Sequence, residues 1–149
     1  MLTGTLLHPQ ILDALAGAGH GALVLVADAN YPATTTRGPN ARIVYLNLRP
    51  GTVGAVIVAE TLAAQVPVEE ALVMAPNTSG PYAMASDPPI WARFAAALAA
   101  AGSPVPLRPL ERSAFYAAAG TPEVALTVVT GETEVYANLL LRVGVVRQS

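Results

Sequence analysis

The sequence predicts an α/β fold: a single-domain, three-layer α/β/α sandwich over residues 1–149, with a mostly parallel sheet and a C-terminal antiparallel edge. Three observations carry this expectation. Short apolar runs of strand length alternate with segments of helical spacing along most of the chain. The length of 149 residues suits one domain, and neither an internal repeat nor a dividing linker interrupts it. Two strand-like runs, residues 124–130 and 138–143, lie close together near the C-terminus and predict an antiparallel edge hairpin.

The elements follow in order. Pro9 opens a helical segment over 9–18, in which Ile11, Leu12 and Leu15 share one face and glycine follows near the end. Gly19, His20 and Gly21 make a turn into 22–27, a continuous apolar run that reads as a buried, parallel strand. Residues 28–40 are polar and broken by Pro32, Gly38 and Pro39, which predicts a loop of functional length. A short strand over 42–46 precedes a helix over 52–65, with Thr52 as its expected N-cap. A strand over 71–75 leads to a second long loop, 76–87, and Pro88 starts a helix running to about residue 101. A short strand at 107–110, a helix at 111–119 and a strong strand at 124–130 complete the pattern before the last strand.

Composition narrows the functions. Hydrophobic residues make up 53% of the chain and charged residues 12%, against an ordinary charged share of about a quarter. With a mean hydropathy of +0.47, the surface is poor in charge, which favours an oligomer that buries apolar area between copies. The alternative is an alanine-rich composition that inflates the apolar count. All eight basic residues are Arg and the net charge is −2, a balance that argues against nucleic acid. With no Cys, disulfides, thiolate metal sites and Cys nucleophiles are excluded, and two distant His offer no metal-ligand spacing. Residues 1–10 do not read as a signal peptide and no apolar run nears the ~20 residues of a membrane span, so the cytoplasm is the expected location. Residues 51–54 lack the lysine and spacing of a phosphate loop, and Ser79 lacks the context of a serine hydrolase.

Two polar residues stand out. Asp28 ends the first strong strand, where open α/β sheets bind ligands, although an Asp here also caps a turn through its own backbone. His20 lies between glycines that leave room for a ligand, and imidazole suits proton transfer near neutral pH; a surface capping role fits equally. His8, just before Pro9, reads as structural.

Four ordered segments then carry a resemblance. They are Gly19-His20-Gly21; Asp28-Ala29-Asn30-Tyr31-Pro32; Arg112 with Ala114-Phe115-Tyr116; and Thr130-Gly131-Glu132 followed by Tyr136-Ala137-Asn138-Leu139-Leu140-Leu141 and Gly144-Val145. In order and separation the chain resembles the ribose pyranase and fucose mutarotase family (RbsD/FucU), and Arg112 with Phe115-Tyr116 tilts it toward the fucose branch. The resemblance implies an isomerase that interconverts anomers or ring forms of a free monosaccharide, with no cofactor. It puts the proton donor on His20, assigns catalytic roles to Asp28 and Tyr136 as well, and places sugar binding on Asp28, Arg112, Tyr136, Ala137 and Asn138. It further implies a ring-like homo-oligomer, commonly a decamer, with sites at subunit boundaries. A non-catalytic sugar-binding or transport-accessory protein, or a structural oligomer, would share the scaffold. The chain differs from the fucose branch at Ala22, where that branch often has Asp, and at Asn30, where it has His. Residues 42–54 and 76–87 also depart from it, which leaves the sugar open.

Overall fold

The computed structural model describes all of residues 1–149. Its elements are α1 (Pro9–Gly17), β1 (Leu23–Ala27), α2 (Ala33–Thr36), β2 (Arg42–Tyr45), α3 (Ala55–Ala63), β3 (Val68–Met74), α4 (Pro89–Ala100), β4 (Leu107–Leu110), α5 (Arg112–Ala119), β5 (Val124–Val129) and β6 (Leu139–Val143). All six strands form one sheet in the order β2-β5-β1-β6-β3-β4. Five strands run the same way; β6 alone is reversed, antiparallel to both β1 and β3.

The predicted class is therefore the observed one, with one correction to its topology. The C-terminal strand is not an antiparallel edge, and it does not pair with β5 as a hairpin. It sits inside the sheet, with β1 between it and β5. The physical reason is in its composition: Leu139, Leu141 and Val143 bury toward one layer of helices and Leu140 toward the other. A strand apolar on both faces is stable only where both faces are covered and both edges are paired. The true edges are β2 and β4, and Pro109 lies in β4, where a missing N–H costs no ladder bond to a further strand.

Alternation along the strands separates two cores. Val24 and Val26 of β1, Ala71 and Val73 of β3 and Leu126 and Val128 of β5 pack with α1, α3 and α4 through Ile11, Leu15, Val58, Leu62, Ile90, Phe94 and Leu98. Leu23, Leu25 and Ala27, with Leu72 and Met74, pack on the other face with Ala33 of α2 and Phe115 and Ala119 of α5. Helices thus cover both faces, which makes the three layers.

Local boundaries shift where a tertiary contact overrides the local signal. The helix expected from Thr52 begins at Ala55, with Gly54 as N-cap. Thr52 instead pairs with Arg49 in a short bridge, and the Glu132 carboxylate accepts the Ala55 N–H. A carboxylate at a helix N-terminus offsets the unpaired amides and the dipole. The strand expected at 71–75 starts earlier, at Val68, and includes Glu69 and Glu70. The loop at 28–40 contains the one-turn helix α2. No helix is long and apolar enough to cross a membrane.

The Thr130-Gly131-Glu132 segment fastens the end of β1 and the loop before α3 to the end of β5. Thr130 Oγ1 donates to the Ala27 carbonyl, Gly131 donates its N–H to Val53, and the Glu132 carbonyl accepts from Ala29. A Cβ on Gly131 would lie 2.3 Å from the Thr52 carbonyl oxygen and 2.6 Å from that of Arg49. Gly131→Ala is therefore expected to destabilise the fold by about 1–3 kcal/mol through overpacking. Gly17→Ala, where a Cβ meets nothing within 4 Å, is expected to be neutral or slightly stabilising. Denaturant midpoints of the two variants decide it; equal midpoints would contradict the close approach.

Candidate active site

Because β6 runs against the other strands, its start lies beside the carboxyl ends of β1 and β3. Asp28 follows β1, Asn138 precedes β6, and Arg112 opens α5 just after β4. These residues meet at the carboxyl edge of the sheet, the edge where α/β folds bind ligands. A cleft of about 360 Å³ there is lined by Asp28, Asn30, Met74, Tyr82, Arg112, Tyr116, Val135, Tyr136 and Asn138. Arg112 and Tyr116 also wall a larger polar groove beside it, toward Asn77, Thr78, Ser79 and Ser113.

Asp28 and Asn138 are locked reciprocally. The Asp28 N–H donates to Asn138 Oδ1 at 2.8 Å, and Asn138 Nδ2 donates to Asp28 Oδ2 at 3.0 Å. Asp28 Oδ1 also accepts the Asn30 N–H at 2.9 Å. Asp28 thus caps a turn and also lines the cleft. Burial pushes its carboxyl above the usual carboxylate range; the bonds from Asn30, Asn138 and Tyr31 pull it down, and the charge of Glu132 adds to the rise.

Arg112 makes no ion pair within the chain. Its guanidinium carbon lies 5.5 Å from the Tyr116 ring centroid, one helical turn on, and Nη2 is 3.4 Å from the Tyr116 hydroxyl. Its remaining donors are free for a ligand. Beneath Tyr116 lies the buried ring of Tyr31, at a centroid distance of 5.5 Å. Burial pushes the Tyr31 hydroxyl up to about 12, which keeps it protonated at neutral pH.

Tyr136 is buried and holds a positive φ of 58°, uncommon for a side-chain-bearing residue. Its hydroxyl donates to the Tyr82 carbonyl at 2.7 Å and accepts the Asn77 N–H at 3.0 Å. The one proton of that hydroxyl is thus held by the 76–87 loop, a use that the expectation of a catalytic Tyr136 did not include. Ala137 has no exposed surface and its methyl packs in the core on the opposite face of the sheet. The structure therefore does not bring Ala137 to the cleft lining.

Nor does the chain bring His20 to the cleft. It precedes β1 and Asp28 follows it, so the five-residue strand, about 16 Å long, separates them. The imidazole is exposed on the amino edge of the sheet. Its Nε2 lies 3.0 and 3.1 Å from the two carboxylate oxygens of Glu69. Sequence reasoning missed Glu69, which belongs to none of the motifs and precedes the strand expected at 71–75. It also missed Met74, Tyr82 and Val135. The carboxyl-end rule applied to β3 identifies Met74, and helical spacing from Arg112 identifies Tyr116; nothing local marks Tyr82.

The Asp28 shift sets a pH dependence. A raised folded pKa means that the native state binds the proton more tightly than the unfolded chain. Above the ordinary value of 3.8, native protons exceed unfolded ones, so this group's contribution to stability falls as pH rises through the raised folded pKa and is level beyond it. Relative to Asp28→Asn, which cannot titrate, the wild type is expected to lose stability over that interval. Urea unfolding of both proteins at closely spaced pH values measures it; a constant difference would contradict the burial argument.

Comparison with known proteins places the chain in a family. The chain matches the family described as the RbsD / FucU transport protein family over residues 1–146. It is 32% identical to the human fucose mutarotase, covering 94% of this chain and 90% of that protein, and 29% identical to the zebrafish (Danio rerio) fucose mutarotase, covering 95% and 91%. Among solved structures it is similar to FucU from Bifidobacterium longum, with a TM-score of 0.77 at 28% identity over 94% of this chain and 95% of that one. The fucose mutarotase of Streptococcus pneumoniae in complex with L-fucose shares the fold at a TM-score of 0.76 and 24% identity, covering 94% of each chain. The match spans nearly the whole length and every element of the sheet, and the chain belongs to the RbsD/FucU family.

Proposed function

We propose that this protein is a sugar mutarotase that interconverts the anomers, or pyranose and furanose forms, of a free monosaccharide, with L-fucose the nearest candidate substrate. The observation that carries the reading is the cleft itself. Its lining mixes polar groups, from Asp28, Asn30, Arg112 and Asn138, with apolar surface from Met74, Tyr82, Tyr116, Val135 and Tyr136. That mixture suits a molecule with hydroxyls on one side and C–H bonds on the other. The similarity to fucose mutarotases over most of the chain supports the same reading.

The chemistry is a proton exchange. The anomeric hydroxyl loses its proton while the ring oxygen gains one, and the C1–ring oxygen bond breaks to give the open aldehyde. Rotation about the C1–C2 bond and reclosure give the other anomer. Asp28 accepts a hydrogen bond from a sugar hydroxyl, and its raised pKa strengthens it as a base. Arg112 and the free N–H of Asn138 hold further hydroxyls. Holding the sugar in place supplies much of the rate.

His20 supplies the proton from a neighbouring copy. Within one chain it sits on the wrong edge, paired with Glu69, which fixes its ring orientation. A cleft completed by the amino edge of the next subunit joins two different surface patches, and repetition of such a contact closes into a ring. A decamer in the cytoplasm is the assembly this reading carries, consistent with the charge-poor surface.

Magnetisation-exchange NMR on free sugars tests the activity, with His20→Ala and Asp28→Asn each expected to slow exchange at least about 100-fold. Mixing the two inactive variants, after dissociation and reassembly, is expected to restore part of the activity, because some clefts then carry both intact residues. Activity in neither the wild type nor the mixture would sink the reading. An active wild type with no recovery on mixing would place His20 and Asp28 of one chain in the same site. Light scattering checks the assembly: a monomer contradicts it.

A further inference from the structure

The loop at 76–87 belongs to neither the sheet nor the helices, yet it walls both openings at the carboxyl edge. Asn77, Thr78 and Ser79 line the larger groove, and Tyr82 overhangs the smaller cleft with its ring largely exposed. Few bonds hold it internally: Asn77 bridges to Ala83, the Met84 N–H donates to the Asn77 carbonyl, and the Ala83 N–H donates to Gly80. Besides the half-buried Met84, which packs on the core, its anchor is the Tyr136 hydroxyl, which takes the Asn77 N–H at one end and gives its proton to the Tyr82 carbonyl at the other. The anchor is itself fixed from behind, since Trp91 Nε1 of α4 donates to the Tyr136 carbonyl at 3.4 Å.

From these bonds we infer that Tyr136 is a positioning residue: its hydroxyl latches the 76–87 loop so that Tyr82 forms the wall that selects the sugar. The inference rests on the mutarotase reading for its substrate, but the latch stands on hydrogen bonds alone. A donor committed at 2.7 Å to a backbone carbonyl is not available to a sugar oxygen unless the loop moves. The Tyr82 ring is presented over the cleft because its own carbonyl is held. With Met74 and Val135 it forms an apolar rim. Such a rim favours a sugar whose far edge is a methyl or bare methylene. It disfavours one carrying a hydroxymethyl group there, whose oxygen would lose its water without a partner. The loop thus sorts 6-deoxyhexoses and pentopyranoses from ordinary hexoses.

The test compares wild type, Tyr136→Phe, Tyr82→Ala and Tyr82→Phe in two measurements. Hydrogen exchange reads the amides of residues 77–84, and NMR anomeric exchange reads KM and kcat for a 6-deoxyhexose, a pentose and a hexose. Tyr136→Phe keeps the buried ring and removes only the latch. It is expected to speed exchange of the Asn77 amide about tenfold or more, to raise KM about tenfold with a smaller change in kcat, and to narrow the preference among the three sugars. Tyr82→Ala is expected to narrow the preference in the same way while the loop amides stay protected, and Tyr82→Phe to retain the preference. A Tyr136→Phe protein that loses kcat about 100-fold with KM and loop protection unchanged would make the hydroxyl a catalytic group and overturn the inference. Unchanged sugar preference in Tyr82→Ala would overturn it as well. If the wild type exchanges no sugar, the mutarotase reading fails and the selectivity goes with it; the Asn77 amide still decides the latch.

Discussion

The reciprocal pair between Asp28 and Asn138 is the contact on which the site depends. It joins residues 110 positions apart in sequence, and it exists only because β6 enters the sheet reversed beside β1. In an all-parallel sheet the start of β6 would lie at the opposite edge from the end of β1. Reversal brings Tyr136, Asn138, Asp28 and Met74 to one rim without any long loop. The pair is also a compromise. Charge-assisted bonds stabilise the carboxylate, yet burial still leaves its pKa raised. A site group held in a partly destabilised charge state is what proton chemistry uses, and the fold carries that cost locally.

The neighbouring segments keep that rim in register. Thr130 ties the end of β5 to Ala27, and the carboxylate of Glu132 gathers the N–H groups of Ala55, Thr133 and Glu134. Arg93 of α4 pairs with Glu134 in the same turn. The Thr130-Gly131-Glu132 motif therefore works on architecture. It holds the ends of β1, β5 and α3 together so that Asp28 and Tyr136 keep their places, and it has no group pointing into the cleft.

Much of this was legible in the sequence because the signals were local. The run from Leu23 to Ala27 is apolar on both faces, and it is a central strand for that reason. Pro9 and the spacing of Ile11 and Leu15 placed α1. Asp28, Arg112, Tyr136 and Asn138 were found through ordered motifs, and they converge. The failures were non-local. Proximity in sequence suggested that β5 and β6 pair, whereas the two-sided burial of Leu139, Leu140 and Leu141 put β1 between them. Thr52 has the chemistry of an N-cap, but a carboxylate 77 residues away took the role nearby at Ala55. Tyr82 lies in a loop whose shape is set by a hydroxyl from another element, and no periodicity records that.

The distance between His20 and Asp28 has a consequence for how the chemistry is controlled. A strand is stiff, so no side-chain motion closes a gap of about 16 Å within one chain. His20 is thereby separated from Asp28, Arg112 and Asn138 onto the opposite edge of the same sheet. Under the proposed mutarotase reading, a lone chain offers Asp28, Arg112 and Asn138 to a sugar and lacks the imidazole beside them. On the proposed reading, chemistry requires a second copy, and the charge-poor surface that favours association serves the catalytic apparatus. The His20–Glu69 pair fits this division, because a proton donor delivered across an interface has to arrive already oriented. On that view the amino edge serves the neighbour's cleft, and the carboxyl edge its own.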